Sequence, residues 1–231
     1  MKKYSHLFFD LDRTIWDFDQ NSQETFKDIF HKYDLQGKGI SSLDEFIKRY
    51  NIHNNNLWEL YRNGEIEKEL LIVRRFLLTL EDFEIDDPGL AEAISEDYIR
   101  LSPMKTKLFP NALETLSYLK GKYHLHIITN GFEEVQLTKV KFSGLDQYFE
   151  SIITSEEAGF KKPHRNIFIY ALEKNKAKAE CSLMIGDDPL IDVKGAKEAG
   201  IDQVLVNNDG IKGNEYPTYE IFSLSELMEF L

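Results

Sequence analysis

Two carboxylates stand two residues apart directly after an apolar run near the start of the sequence. The run covers residues 7–9, Asp10 and Asp12 follow it, and Thr14 comes two residues later. Because side chains alternate along a strand, a strand at 7–9 predicts that Asp10 and Asp12 lie on the same side of the backbone. Like charges this close repel each other unless a cation compensates. The pair therefore indicates either a catalytic site with a positive partner or an ordinary polar turn.

Polar residues also follow the later apolar segments that predict strands. In open α/β sheets, ligands bind beyond the carboxyl ends of the strands, so these residues are expected at one edge. They are Thr129 and Asn130 after the second strand, Lys161, Lys162 and Pro163 in the loop after the third, and Asp187, Asp188 and Asp192 after the fourth.

This set of side chains suits phosphoryl transfer. One carboxylate can act as the nucleophile, and a second can protonate the leaving oxygen and later activate water. A hard metal ion with oxygen ligands can hold the nucleophile against the phosphate. A hydroxyl, backbone N–H groups and a lysine can bind the charge on the transferred oxygens.

Composition limits the class of protein. The 231 residues, 42% of them hydrophobic, predict one or two soluble domains. A net charge of −12 argues against binding a nucleic-acid polymer, which depends on many basic contacts to phosphate. The single cysteine, Cys181, fits a reducing compartment. The sequence shows no signal peptide and no apolar run of the ~20 residues that a membrane span needs, so we expect a cytoplasmic protein without membrane contact.

The periodicity divides the chain into a core and a long insertion. Helical patterns fill residues 17–105, whereas strands and helices alternate with short connections from about residue 106 onwards. This alternation predicts a parallel sheet with helices on both faces. A structureless connection of such length is implausible inside a compact domain. We therefore predict an α/β core formed by residues 1–16 and 106–231, and a helical domain at 17–105.

Four motifs resemble those of the haloacid dehalogenase (HAD) superfamily of phosphohydrolases. They are FFDLDRT, IITNG, KKP and MIGDDPLID, in the family's order and each at or after the end of a predicted strand. The resemblance implies a Rossmann-like α/β core, and the helical insertion resembles the C1 cap of this superfamily.

The resemblance implies an Mg²⁺-dependent phosphomonoester hydrolase that works through an aspartyl phosphate. Asp10 would be the nucleophile and Asp12 the general acid and base. Asp187 is favoured over Asp188 as the direct metal ligand. It implies phosphate binding by Thr129, Asn130 and Lys162, and Mg²⁺ binding by Asp10, the backbone carbonyl of Asp12 and Asp187. Asp188 and Asp192 would lie behind these ligands, with Asp192 orienting Lys162 or a metal-bound water.

Several other activities use a similar core. Dehalogenases of the superfamily displace halide with the first aspartate and need no second carboxylate, so Asp12 and the acidic group at Asp187 argue against them. A mutase similar to β-phosphoglucomutase, or a phosphatase for phosphoglycolate or a sugar phosphate, would fit the same motifs. Response-regulator receivers share the acidic site as a non-enzymatic phosphoaspartate switch, but Asp12 and the inserted domain disfavour that class.

Two longer stretches resemble noncanonical pyrimidine 5′-nucleotidases of the YjjG type. These stretches are TNGFEEVQLTKVKFSGLDQYF in the core and LWELYRNGEIEKELLIVRRF in the helical domain. They imply a small-molecule substrate such as dUMP, dTMP or a modified pyrimidine nucleotide, handled by a monomer or homodimer.

Aromatic residues supply candidate surfaces for a pyrimidine base. Trp58 and Tyr61 lie in the helical domain, and Trp16 and Phe18 lie at its start. Flat rings of this kind can stack on a base, and the alternative for each is packing in the domain's own core.

Overall fold

The computed structural model describes residues 3–208, 210 and 217–231. The chain divides into two compact units, one formed by Met1–Phe18 with Thr106–Leu231 and the other by Asp19–Lys105. Each unit has its own hydrophobic core. Among the described residues, none of the helices has the length and apolar character needed to cross a membrane.

In the described part of the first unit, one sheet has six strands, all paired in parallel. The spatial order is β3-β2-β1-β4-β5-β6, which confirms the predicted Rossmann-like α/β class. The short strand at Tyr219–Ile221 was not predicted. The strands are β1 (His6–Phe9), β2 (His124–Thr129), β3 (Ser151–Thr154), β4 (Ser182–Gly186), β5 (Asp202–Val206) and β6 (Tyr219–Ile221).

The middle position of β1 explains its unbroken apolar sequence. Leu7 and Phe9 pack into the core on one face of the sheet, which also contains Ile127. Phe8 packs into the core on the opposite face, together with Phe168. A strand buried on both faces needs apolar residues at every position rather than at alternate ones. The carboxyl end of β1 therefore opens at the centre of the sheet edge, between β2 and β4.

Helices cover both faces of this sheet. Residues of α5, α6 and α10 pack on the Leu7 face, and residues of α7, α8 and α9 pack on the Phe8 face. These helices are α5 (Ala112–Lys120), α6 (Glu133–Phe142), α7 (Ser155–Ala158), α8 (Arg165–Lys174), α9 (Lys194–Glu198) and α10 (Leu227–Phe230), numbered after the four helices of the second unit.

The second unit is helical, and its residues, all of them described, contain no strand. The Ser42 hydroxyl accepts the Glu45 N–H and caps its second helix. An aromatic cluster that includes Phe26, Tyr50 and Phe76 fills the core. The helices are α1 (Phe18–Lys32), α2 (Leu43–Arg62), α3 (Lys68–Glu81) and α4 (Pro88–Leu101).

A buried histidine links the first three strands of the core. His126 on β2 is 1% exposed, with its Nε2 at 3.0 Å from His6 Nδ1 and its Nδ1 at 2.9 Å from Ser151 Oγ. Burial lowers the pKa of His126 to about 4, and the neighbouring His6 adds to the effect. His126 is therefore neutral in the folded protein at neutral pH.

This histidine should make the fold less stable in mild acid. The unfolded chain binds a proton at His126 near the usual pKa of 6.5, while the folded chain binds it only near 4. The free energy of unfolding should therefore fall by up to about 3 kcal/mol from this residue as the pH drops from 6.5 to 4. Urea titrations across this range should show a shallower fall for His126→Gln. The exposed His124→Gln serves as control, and an unchanged slope in His126→Gln would contradict the assignment.

Candidate active site

A buried lysine joins two carboxylates at the carboxyl edge of the sheet. Asp10 directly follows β1, and its backbone N–H donates to the Ile185 carbonyl at 2.8 Å, which extends the ladder with β4. Lys162 Nζ donates to Asp10 Oδ1 at 2.5 Å and to Asp192 Oδ1 at 2.6 Å. Lys162 is 2% exposed. It supplies the positive partner that a buried carboxylate requires.

A third carboxylate, Asp187, lies close to this ion pair. One carboxylate oxygen from each of Asp10, Asp187 and Asp192 falls within 4.8 Å of the others. The Thr14 hydroxyl lies 3.2 Å from Asp187 Oδ1 and 3.5 Å from Asp10 Oδ2. We call Asp10, Asp187 and Asp192 the acidic cluster.

The side chain of Asp188 binds backbone N–H groups, unlike that of Asp187. Its Oδ1 accepts the N–H groups of Leu190 and Ile191, which caps the turn that follows β4. Its own N–H donates to Asp192 Oδ2 at 3.1 Å. Asp188 thus holds the turn that carries Asp192, while the side chain of Asp187 joins the cluster.

The acidic cluster carries more negative charge than one lysine neutralises. Burial raises the pKa of Asp10 to about 7 against the opposing effect of Lys162, and Asp192 adds to the rise. Burial and then the neighbouring Asp10 hold the pKa of Asp187 well above its usual range. Burial alone would lower the pKa of Lys162, but Asp10 and Asp192 outweigh it and raise that pKa. The cluster therefore favours a further cation.

The donor set fits a hard divalent cation such as Mg²⁺. Three carboxylates offer the charged oxygen ligands that Mg²⁺ prefers, and the three with Lys162 leave a net charge near −2 when ionised. Asp10 and Asp187 are the residues best placed to hold the ion, because the Asp192 carboxylate is already bonded to Lys162 and to the Asp188 N–H.

Lys162 is held in place through its own backbone. Asn130 Nδ2 donates to the Lys162 carbonyl at 2.8 Å, and the Lys162 N–H donates to Asn130 Oδ1 at 2.7 Å. This paired contact fixes the loop against the end of β2. Asn130 was predicted to bind phosphate, and the structure commits both polar groups of its side chain to Lys162.

Asp12 and Thr129 share partners on α6. Gln136 Nε2 donates to Asp12 Oδ2 and to Thr129 Oγ1, both at 2.8 Å. Lys139 Nζ donates to Asp12 Oδ1 at 2.6 Å. Gln136 and Lys139 were not predicted as site residues. Their spacing of three positions on the helix after TNG, which puts both on one face, is the signal that could have found them.

The aromatic candidates differ in exposure. In the helical unit, Trp58 is half-buried and Tyr61 is buried, with the two rings edge-on at 5.6 Å. In the core unit, Trp16 is fully buried and Phe18 is half-buried. The interpretation of Trp16 as a base-binding surface is therefore wrong, because its ring is enclosed by the protein.

Comparisons with known proteins agree with this geometry. The model of the haloacid dehalogenase-like hydrolase family matches residues 7–206. The chain is 31% identical to the pyrimidine 5′-nucleotidase YjjG of Escherichia coli K12, over 99% of this chain and 98% of that protein. It is 36% identical to a glyceraldehyde 3-phosphate phosphatase of Methanocaldococcus jannaschii, over 97% and 96% respectively.

A solved structure is similar along nearly the whole chain. The HAD-hydrolase YfnB of Bacillus subtilis, crystallised with magnesium, superposes with a TM-score of 0.89 at 30% identity, covering 99% of this chain and 98% of that one. The resemblance to the HAD superfamily drawn from the four motifs is confirmed, and the YjjG type is among the relatives.

Gly186 should be essential to the geometry of the cluster. A Cβ at this position would overlap the Asp192 carboxylate and its Cβ, so Gly186→Ala must displace Asp192. We expect a loss of about 1–3 kcal/mol in unfolding free energy and a 10–100-fold weaker Mg²⁺ affinity by calorimetric titration. Gly121→Ala is the matched control, because a Cβ there meets nothing within 4 Å. Unchanged Mg²⁺ affinity in Gly186→Ala would contradict this role.

Proposed function

The chain belongs to the haloacid dehalogenase-like hydrolase family and is a phosphatase, and on this premise we propose that it hydrolyses pyrimidine nucleoside 5′-monophosphates. We further propose that the reaction passes through an aspartyl phosphate on Asp10, with Mg²⁺ as cofactor. The observation that supports this most strongly is the acidic cluster bonded to a buried lysine at the carboxyl end of the central strand.

In the first half of the proposed reaction, a carboxylate oxygen of Asp10 attacks phosphorus. The bond from phosphorus to the ester oxygen breaks, and Asp12 gives its proton to the departing alcohol. Lys162 touches Asp10 and can also bind a phosphate oxygen, which would favour the charge that develops there. The nucleophile and the cationic group are thus supplied by one ion pair.

In the second half, water attacks the phosphorus atom of the aspartyl phosphate. Asp12 takes a proton from that water, the bond between phosphorus and Asp10 breaks, and inorganic phosphate leaves. Asp12 is then protonated for the next turnover. Mg²⁺ held by Asp10 and Asp187 would supply further positive charge for the phosphate oxygens.

Named relatives support two substrate classes. YjjG at 31% identity is a pyrimidine 5′-nucleotidase, and the Methanocaldococcus jannaschii protein at 36% identity is a glyceraldehyde 3-phosphate phosphatase. We favour the nucleotide because the YjjG-type stretches occur in both units of this chain. A triose phosphate is the second candidate, supported by the higher identity.

A substrate panel tests the proposal. With Mg²⁺ present, dUMP and dTMP should give a higher kcat/KM than glyceraldehyde 3-phosphate, phosphoglycolate or 2-haloacids. Asp10→Asn should lower turnover of every phosphate ester by more than about 1,000-fold, because the nucleophile is lost. The exposed Asp44→Asn is the matched control. Preference for the triose phosphate would overturn the substrate class, halide release would overturn the reaction, and an active Asp10→Asn would overturn the nucleophile.

Trp58 is the aromatic residue that we propose for base recognition, with Tyr61 packed edge-on against it. Trp58→Ala should lower kcat/KM for dUMP by about tenfold or more, because stacking on a base contributes about 1–3 kcal/mol. Turnover of p-nitrophenyl phosphate, which has no pyrimidine, should change little. Equal losses on both substrates would assign Trp58 to packing.

A further inference from the structure

We infer that Gln136 and Lys139 are positioning residues that fix the proton-transferring carboxylate of Asp12 and the hydroxyl of Thr129 in one arrangement. The inference rests on the proposed function, because it takes Asp12 as the acid and base of phosphate ester hydrolysis. We call these two residues the α6 clamp.

Each oxygen of Asp12 has its own donor in the clamp. Lys139 Nζ lies 2.6 Å from Oδ1, and Gln136 Nε2 lies 2.8 Å from Oδ2. Two donors on separate oxygens determine the rotation of the carboxylate plane as well as its position. A partly exposed carboxylate, as this side chain is, would otherwise rotate among several rotamers.

The clamp also determines which way the Thr129 hydroxyl points. Thr129 Oγ1 accepts the Gly131 N–H at 3.1 Å and the Gln136 Nε2–H at 2.8 Å. These contacts use both acceptor positions of the oxygen, so the hydroxyl proton must be donated elsewhere. Thr129 is thereby prepared as a donor, which is what an anionic phosphate oxygen requires. Gly131 makes this possible, because a Cβ there would overlap the Gln136 amide.

The same amide leaves one of its own groups without a partner. Gln136 Oε1 is buried and has no hydrogen-bond partner among the described residues. Exchanging the amide oxygen and nitrogen would not give Oε1 a donor, because Oε1 would then lie against the Asp12 carboxylate, which is also an acceptor. A buried orphan of this kind is rare and requires an explanation. Here the explanation is that both N–H groups of Gln136 are committed to Asp12 and Thr129.

The ammonium of Lys139 is itself held rigidly. Lys139 is 3% exposed, and its Nζ lies 4.2 Å from the centre of the fully buried Trp16 ring. The ring face attracts the cation and blocks other rotamers of the side chain. Trp16 therefore holds the Lys139 ammonium, whereas it was predicted to stack on a base.

Loss of the α6 clamp should slow hydrolysis most for esters whose leaving group needs a proton. An alkoxide is a poor leaving group and needs its proton during bond cleavage, whereas p-nitrophenolate leaves without one. A misplaced Asp12 should therefore slow the cleavage of alkyl phosphates selectively. kcat/KM reports this first half of the reaction and is the quantity to compare.

The test measures kcat/KM of the full-length protein for dUMP and for p-nitrophenyl phosphate. Lys139→Met should lower the value for dUMP by about 10–100-fold and the value for p-nitrophenyl phosphate by less than about threefold. Gln136→Met also releases the Thr129 hydroxyl, so it should lower both values, with the value for dUMP falling about tenfold further. Lys139→Arg should recover part of the loss. In the background of Asp12→Asn, Lys139→Met should cause no further change in the ratio of the two values.

Lys141→Met is the matched control, since Lys141 is exposed on the same helix. Equal losses on both substrates, or a further change of the ratio in the Asp12→Asn background, would overturn the positioning role. Gln136→Met replaces one neutral side chain by another, and thermal unfolding of each variant identifies losses that come from misfolding. A wild-type protein that hydrolyses neither ester would instead overturn the proposed function.

Discussion

The site depends on the ion pairs that the buried ammonium of Lys162 makes with two carboxylates. The ammonium bonds to Asp10 at the end of β1 and to Asp192 in the turn after β4, so one cation ties together segments far apart in sequence. Removing one partner of a buried ion pair typically costs about 3–5 kcal/mol, since a charge is left uncompensated. Asn130, Asp188 and the bare backbone at Gly186 all serve to bring these three side chains into contact.

Much of this arrangement could be predicted because it follows from strand chemistry. An apolar run that stops at Asp10, and another that stops at Asp187, mark two strand ends, and parallel strands bring such ends to one edge. The paired carboxylates predicted a positive partner, and Lys162, which the family resemblance gave as a phosphate ligand, is that partner for Asp10. The five longer strands were predictable for the same reason, since their apolar residues contrast sharply with the turns that follow.

Other parts could not be predicted, since they depend on contacts between segments. Gln136 and Lys139 look like ordinary polar residues on an amphipathic helix, and only the packing of α6 beside Asp12 gives them their partners. Trp16 was predicted to offer a surface for a base because the sequence does not reveal that its ring is enclosed. β6 has three residues, too few for a period to be recognised.

The position of β1 has a consequence for how the chain folds. Its two partner strands come much later in the sequence, since His6 pairs with His124 and with Ser182. During synthesis, β1 therefore has no partner strand until the whole helical unit has left the ribosome. Such long-range pairing is slow, and an apolar strand left open is prone to aggregation. The central strand that carries the nucleophile is thus the element whose burial must be completed late, after most of the chain exists.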